Sequence, residues 1–173
     1  MGLAWRSSGR EFQYWMVATV VSASGLKVRP AVIARSIFAA GMFSLLALAI
    51  AVRSLEGEID VYPLSENVHG DGILKTATSK PHDPIKPLAL DYATRLLERL
   101  DYVGVLALEF FQLGDRLLAN EFAPRVHNSG HWTIEGAQTS QFENHLRAVA
   151  GLALGSTEPV EHSVMINCIG EIP

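Results

Sequence analysis

At 173 residues the chain is long enough for one domain, and its formal net charge of −4 excludes general nucleic-acid affinity. A single cysteine, Cys168, excludes an internal disulfide and any multi-cysteine metal centre. We read Cys168 as a small buried hydrophobe in a strand from Val164 to Ile169.

The charge is unevenly spread. Residues 1–35 hold Arg6, Arg10, Lys27, Arg29 and Arg35 against Glu11 alone, and the rest of the chain is strongly acidic. Ile37 to Val52 then runs for sixteen residues, with Ser44 the only polar side chain. A basic leader before an apolar stretch has the profile of a signal or anchor segment. However, this run falls short of the roughly 20 residues that a spanning helix needs. Leu45 to Arg53 reads as a strand, and its apolar surface is expected to promote association if left uncovered. Glu56-Gly57 makes a hairpin turn into a second strand, Glu58 to Tyr62. Pro81, Pro84 and Pro87 mark Ser79 to Pro87 as a loop. Ala89, Ala93, Leu96, Leu97 and Leu100 recur at helical spacing and predict a helix over Leu88 to Leu100.

Val103 to Phe111 reads as a strand, and Leu117 to Phe122 as its return. Within the first lies Glu109, a carboxylate amid apolar neighbours, which is costly to bury unless a cation meets it. A divalent metal held by hard oxygen ligands is the obvious candidate. Glu121 is its natural partner if the loop between the strands has three or five residues centred on Asp115. The two acids then stand directly opposite on one face, with Cβ atoms roughly 5 Å apart. A two-residue Gly114-Asp115 turn would instead set Asn120 opposite Glu109 and put the acids on different faces. The alternative is a surface hairpin with two solvated glutamates.

Asn120 to Trp132 gathers an acid, two amides, a hydroxyl, an arginine and two histidines in thirteen positions. Neither a core strand nor an ordinary loop has use for that mixture. Ser140-Gln141-Phe142-Glu143 has the form of a capping box. The helix it opens is expected to bury Phe142, Leu146 and Val149 and to stop at Gly151. Trp132 reads as a packing residue; His82, His145 and His162 read as surface residues. The element order suggests an α+β chain, an antiparallel sheet covered on one face.

These residues carry a resemblance. The run Asp101 to Thr157 is similar to the N5-carboxyaminoimidazole ribonucleotide synthetases, ATP-grasp enzymes of purine synthesis also found as one half of the fungal phosphoribosylaminoimidazole carboxylase. Ile50 to Ser54, Tyr62-Pro63-Leu64, Glu66 to Leu74 and Ser163 to Asn167 resemble the same family. The fold it implies is the C-terminal lobe of an ATP-grasp domain over residues 45–158, with 159–173 opening a further domain. Residues 1–44 match nothing in the family and stay unassigned, either remodelled or translated out of frame. On this reading the chain is an incomplete lobe and is expected to be inactive alone.

The implied activity is ATP-dependent carboxylation of aminoimidazole ribonucleotide with bicarbonate, by way of carboxyphosphate. Its implied cofactor is Mg2+ or Mn2+, with ATP as cosubstrate. Glu109 and Glu121 match the metal-binding acids, and His69, Asn120 and Glu121 match ATP contacts. Arg125 and His131 match catalytic positions; His127, Asn128 and Ser129 match substrate-binding ones, with His127 equally suited to a structural hydrogen bond. The family further implies a cytoplasmic enzyme, a possible homodimer, and neither nucleic acid nor membrane as partner. Two other readings stay open: another ATP-grasp ligase or formyltransferase with a different acceptor, and a non-catalytic remnant.

Overall fold

The computed structural model of the chain describes residues 46–70 and 73–168. The expectations for residues 1–44, for the first part of the apolar run and for Ile169 onward lie outside these residues. The described part is an α+β unit built on one antiparallel sheet. Its strands are β1 (Leu46–Arg53), β2 (Ile59–Val61), β3 (Leu64–Gly70), β4 (Ile73–Lys80), β5 (Gly104–Leu113), β6 (Arg116–Ala123) and β7 (Val164–Ile166). In space they run β6-β5-β1-β3-β4-β7, with β2 also paired to β1.

The apolar run explains itself here. β1 lies between β5 on one side and β2 and β3 on the other, so both of its edges are paired, and both of its faces are covered. Such a strand reads as continuously hydrophobic rather than alternating. Ala47, Ala49 and Ala51 turn to one face, where they leave room for helix α1 (Lys86–Leu100) and its Ala89, Ala93 and Leu97. Leu48, Ile50 and Val52 turn to the other, against Tyr62, Trp132 and Ala148. Ala47 to Val52 are at most 5 % exposed, so the expected association through this surface is corrected: its own sheet and helices cover it. Coverage on one face alone is corrected too. No helix among the described residues is long and apolar enough to cross a membrane.

Several other expectations shift. Helix α1 begins at Lys86 and takes Pro87 into its first turn, where a missing N–H costs nothing. β3 and β4, which sequence periodicity did not reveal, make a hairpin on the far side of β1. Between β2 and β3, Pro63 has no N–H to donate, and the pairing with β1 slips by one residue there. The segment assigned to a further domain contributes β7, which adds to the edge of the same sheet. Cys168 lies past the end of β7, outside the sheet, and is exposed.

Two helices follow β6, the short α2 (Thr133–Gly136) and α3 (Gln141–Val149), and α3 departs most from expectation. Ser140 Oγ accepts the Glu143 N–H at 3.2 Å, as a cap should. The reciprocal half of the box is absent, since Glu143 accepts from Arg147 Nε at 2.8 Å instead. The buried residues are the polar Gln141 and Asn144 together with Ala148, while Leu146 is 65 % and Val149 52 % exposed. Asn144 decides this, because its amide bridges the Tyr62 hydroxyl at 2.8 Å and both backbone groups of Gly155. His145 is also corrected from surface to half-buried. Its Nδ1 accepts the Val105 N–H at 3.0 Å, beyond the point where β6 ends opposite Ala107.

Candidate active site

The β5–β6 hairpin closes through a two-residue Gly114-Asp115 turn, with Leu113 paired to Arg116. Gly114 has φ +63°, the positive φ that a type II′ turn requires at its first central position. By simple alternation this turn would set Glu109 against Asn120. Yet Glu109 is paired with Glu121, because the register shifts between Glu109 and Phe110 and leaves Asn120 as an extra residue. A β-bulge of this kind re-aims side chains. The requirement for a three- or five-residue loop is therefore corrected: the bulge does what the longer loop was needed for.

Its effect is chemical. Asn120 and Glu121 both come to the face that carries Glu109, and Asn120 Nδ2 donates to Glu109 Oε2 at 3.4 Å. The Glu109 side chain is only 12 % exposed. Burial raises its carboxyl above the usual range, and the facing Glu121 carboxylate raises it further, while the Asn120 bond works the other way.

Chain 125–131 lies over this face. His127 Nε2 sits 3.8 Å from Glu109 Oε1. Burial, then the positive charge of Arg125 and the neighbouring His131 and His69, lower the His127 pKa to about 4. At neutral pH the imidazole is neutral, so the contact is not an ion pair. Ser129 is buried and accepts from Asn67 Nδ2 of β3 at 2.9 Å. Arg125, Asn128 and His131 are exposed. Arg125 gives one guanidinium N–H to the Val126 carbonyl at 2.9 Å, and the His131 ring packs on Phe142 at 5.4 Å. His69, on β3, is exposed near His127. Glu109, Asn120, Glu121, His127, His69 and Ser129 thus gather on one sheet face, with Arg125 and His131 on its solvent side.

Sequence reasoning read Trp132 as a packing residue, which it is, and missed the polar residues that hold this chain segment down. Trp132 Nε1 donates to Ser65 Oγ at 2.8 Å, and its ring meets Tyr62 edge-on. Thr133 Oγ1 donates to the Gly130 carbonyl at 2.6 Å and accepts the Gln141 N–H at 3.0 Å. Gln141 accepts the His127 N–H and donates to the His127 carbonyl. The available signal was Asn67, Thr133 and Gln141 themselves, polar residues at positions that pack against apolar neighbours. Gly130 lies within this segment, against β1: an added Cβ would overlap Ile50 Cδ1 and approach Gln141 Cδ to 2.8 Å. Gly130→Ala is expected to cost about 1–3 kcal/mol in urea unfolding through overpacking.

Comparison with known proteins gives the family. The ATP-grasp domain family matches over residues 37–142, and the chain belongs to that family. Within it, the chain is similar to N5-carboxyaminoimidazole ribonucleotide synthases. It is 61% identical over 124 residues to the Pseudomonas aeruginosa protein, covering 72% of this chain and 34% of that one. The crystal structure of the Thermus thermophilus synthetase aligns with TM-score 0.73 at 51% identity, over 83% of this chain and 43% of that one. The synthase from Aspergillus clavatus, in complex with ADP and 5-aminoimidazole ribonucleotide, aligns at TM-score 0.68 and 32% identity, over 82% of this chain and 42% of that one. The chain spans about a third of the length of the curated relatives it matches.

Proposed function

We propose that this site binds ATP with a divalent metal and serves the carboxylation of aminoimidazole ribonucleotide by bicarbonate, through carboxyphosphate. The observation that carries the reading is the bulge, which sets Glu109, Asn120 and Glu121 on one partly buried face. Two facing carboxylates, one of them short of solvent, repel each other unless a cation lies between. The donors are hard oxygens, which fits Mg2+ or Mn2+. Among the described residues no cluster of three or more His, Cys, Asp and Glu could hold a metal by itself. Phosphate oxygens would complete the shell, as is usual for magnesium. An ion held by Glu109 and Glu121 would supply positive charge to offset that on the phosphates during γ-phosphoryl transfer.

The chain's own residues supply positioning. His127, neutral near pH 7, offers a hydrogen bond without adding charge beside Glu109. Arg125 has guanidinium N–H groups to spare and faces solvent, where its fork suits a phosphate or carboxylate. His131 is exposed beside Phe142 and would take the proton that the acceptor amine loses. Similarity to a synthase solved with ADP and 5-aminoimidazole ribonucleotide supports both ligands.

Calorimetric titration of the chain with ATP tests the reading. Binding is expected with Mg2+ and absent in EDTA; equal binding in both would overturn the metal role. Preference for glycinamide ribonucleotide over aminoimidazole ribonucleotide would instead favour a formyltransferase. Arg125→Lys is expected to weaken acceptor binding at least about tenfold, since an ammonium cannot reproduce the fork. Unchanged affinity would remove Arg125 from the site.

A further inference from the structure

The segment that carries Arg125, His127, Asn128, Ser129 and His131 has one short helical turn, Asn128–Gly130, and otherwise no regular structure to hold it. Its attachment must come from side chains. Four reach it: Ser65 through Trp132, Asn67 through Ser129, Thr133 at the Gly130 carbonyl, and Gln141. Of these, only Gln141 grips the backbone of a residue that faces Glu109. Its Oε1 accepts the His127 N–H at 3.0 Å, and its Nε2 donates to the His127 carbonyl at 2.6 Å. The grip is itself fixed. Gln141 is fully buried, and its own N–H is bound by Thr133 Oγ1, which also holds the Gly130 carbonyl. With Gly130 bare of a side chain, the Gln141 amide packs close against the turn.

We propose that Gln141 is a positioning residue for this site, acting through His127. Its carboxamide pairs with both backbone polar groups of His127 and so sets the imidazole against Glu109. The idea rests on the reading above, in which His127 and Glu109 belong to the working site. An amide suits the task because it offers one donor and one acceptor side by side, matching the N–H and C=O of a single residue. Methionine has similar length and neither group. A glutamate has the right shape, but once ionised it can only accept, and it would face the His127 carbonyl oxygen with negative charge.

Amide hydrogen exchange on the full 173-residue chain tests this without any ligand, so its outcome is separate from that of the carboxylation reading. In Gln141→Met, protection of the His127 amide is expected to fall about tenfold, the worth of a lost buried hydrogen bond. Amides of β1 and β5, such as Ala49 and Leu106, should keep theirs. Gln141→Glu keeps an acceptor for the His127 N–H but sets negative charge against the His127 carbonyl. Protection should therefore fall near pH 7 through that repulsion and recover near about pH 5, as a buried carboxyl regains its proton and with it a donor. That recovery is something a merely space-filling role would not produce. Unchanged His127 protection in Gln141→Met, or an equal fall at Ala49 and Leu106, would overturn the proposal. Should Gln141→Met fail to fold, the pH response of Gln141→Glu decides alone, and a response without recovery would overturn it. Mn2+ binding by Glu109 and Glu121, followed by electron paramagnetic resonance, should survive in Gln141→Met. Its loss there would show that the residue holds the whole sheet face rather than His127.

Discussion

Glu109→Gln is expected to make the metal-free chain more stable and to remove its affinity for a divalent cation. Both effects come from one carboxylate. The Glu109 carboxyl has a pKa raised first by burial and then by Glu121, so the folded state resists its ionisation. For an acid raised in this way, the folded protein holds the proton more tightly than the unfolded one. Its stabilising effect is present at low pH and is lost as pH rises from the ordinary glutamate range through the raised value. At neutral pH the ionised group is therefore a net cost, and a neutral amide of the same shape relieves it. The melting temperature of Glu109→Gln should exceed that of the parent at pH 7 and approach it in acid. Mn2+ affinity should meanwhile fall at least about a hundredfold, beyond the usual loss from an outer-shell change. Glu121→Gln should lose the metal similarly but gain less stability, because Glu121 is exposed. A Glu109→Gln chain that is less stable than the parent at pH 7 would show that the carboxylate is satisfied by groups other than a metal.

Acidification from about pH 6.5 to about pH 4 is expected to cost the fold up to about 3 kcal/mol through His127 alone. The sign is opposite to that of Glu109. Burial, with Arg125, His131 and His69 nearby, holds His127 near pKa 4 in the folded chain. Unfolded, it takes up its proton near the ordinary value, so the unfolded state binds more protons between those limits. Stability is full above the ordinary histidine pKa and drains away as pH falls towards 4. Because Glu109 works the other way over part of the same range, the slope is best read in a Glu109→Gln background. Urea unfolding there, at several pH values, should show a slope that His127→Asn largely removes. A slope unchanged by His127→Asn would assign the acid loss to other groups. The same lowered pKa implies that nucleotide binding, if His127 must be neutral for it, stays insensitive to pH above 6.5.

The hairpin shows how far local sequence reaches. The two strands, the turn residues Gly114 and Asp115 and the isolated acid Glu109 were all legible, because alternation and turn chemistry are short-range properties. The pairing of Glu109 with Glu121 was reached through the wrong loop. A two-residue turn closes the hairpin, and one extra residue at Asn120 restores the register. No pattern within thirteen residues distinguishes those two routes, since the bulge depends on what both strands pack against.

Helix α3 makes the same point about faces. Its apolar residues Phe142, Leu146 and Val149 have helical spacing, and periodicity alone turns them inward. In the fold Gln141 and Asn144 are buried instead, because two irregular segments, at His127 and at Gly155, leave backbone groups that need partners. A hydrophobic stripe counts only the gain from leaving water. It does not count the cost of unpaired N–H and C=O groups contributed by distant parts of the chain.

The sequence by itself therefore determined the β1 core strand, the β5–β6 hairpin and the ATP-grasp family, through residue identity and near-neighbour spacing. Only the tertiary structure decided that Glu109, Asn120 and Glu121 share a face, that His127 sits neutral beside them, and that Gln141 holds it there. Those facts depend on register, burial and the pairing of backbone groups far apart in the chain, and each is set by the whole packed sheet rather than by any segment of it.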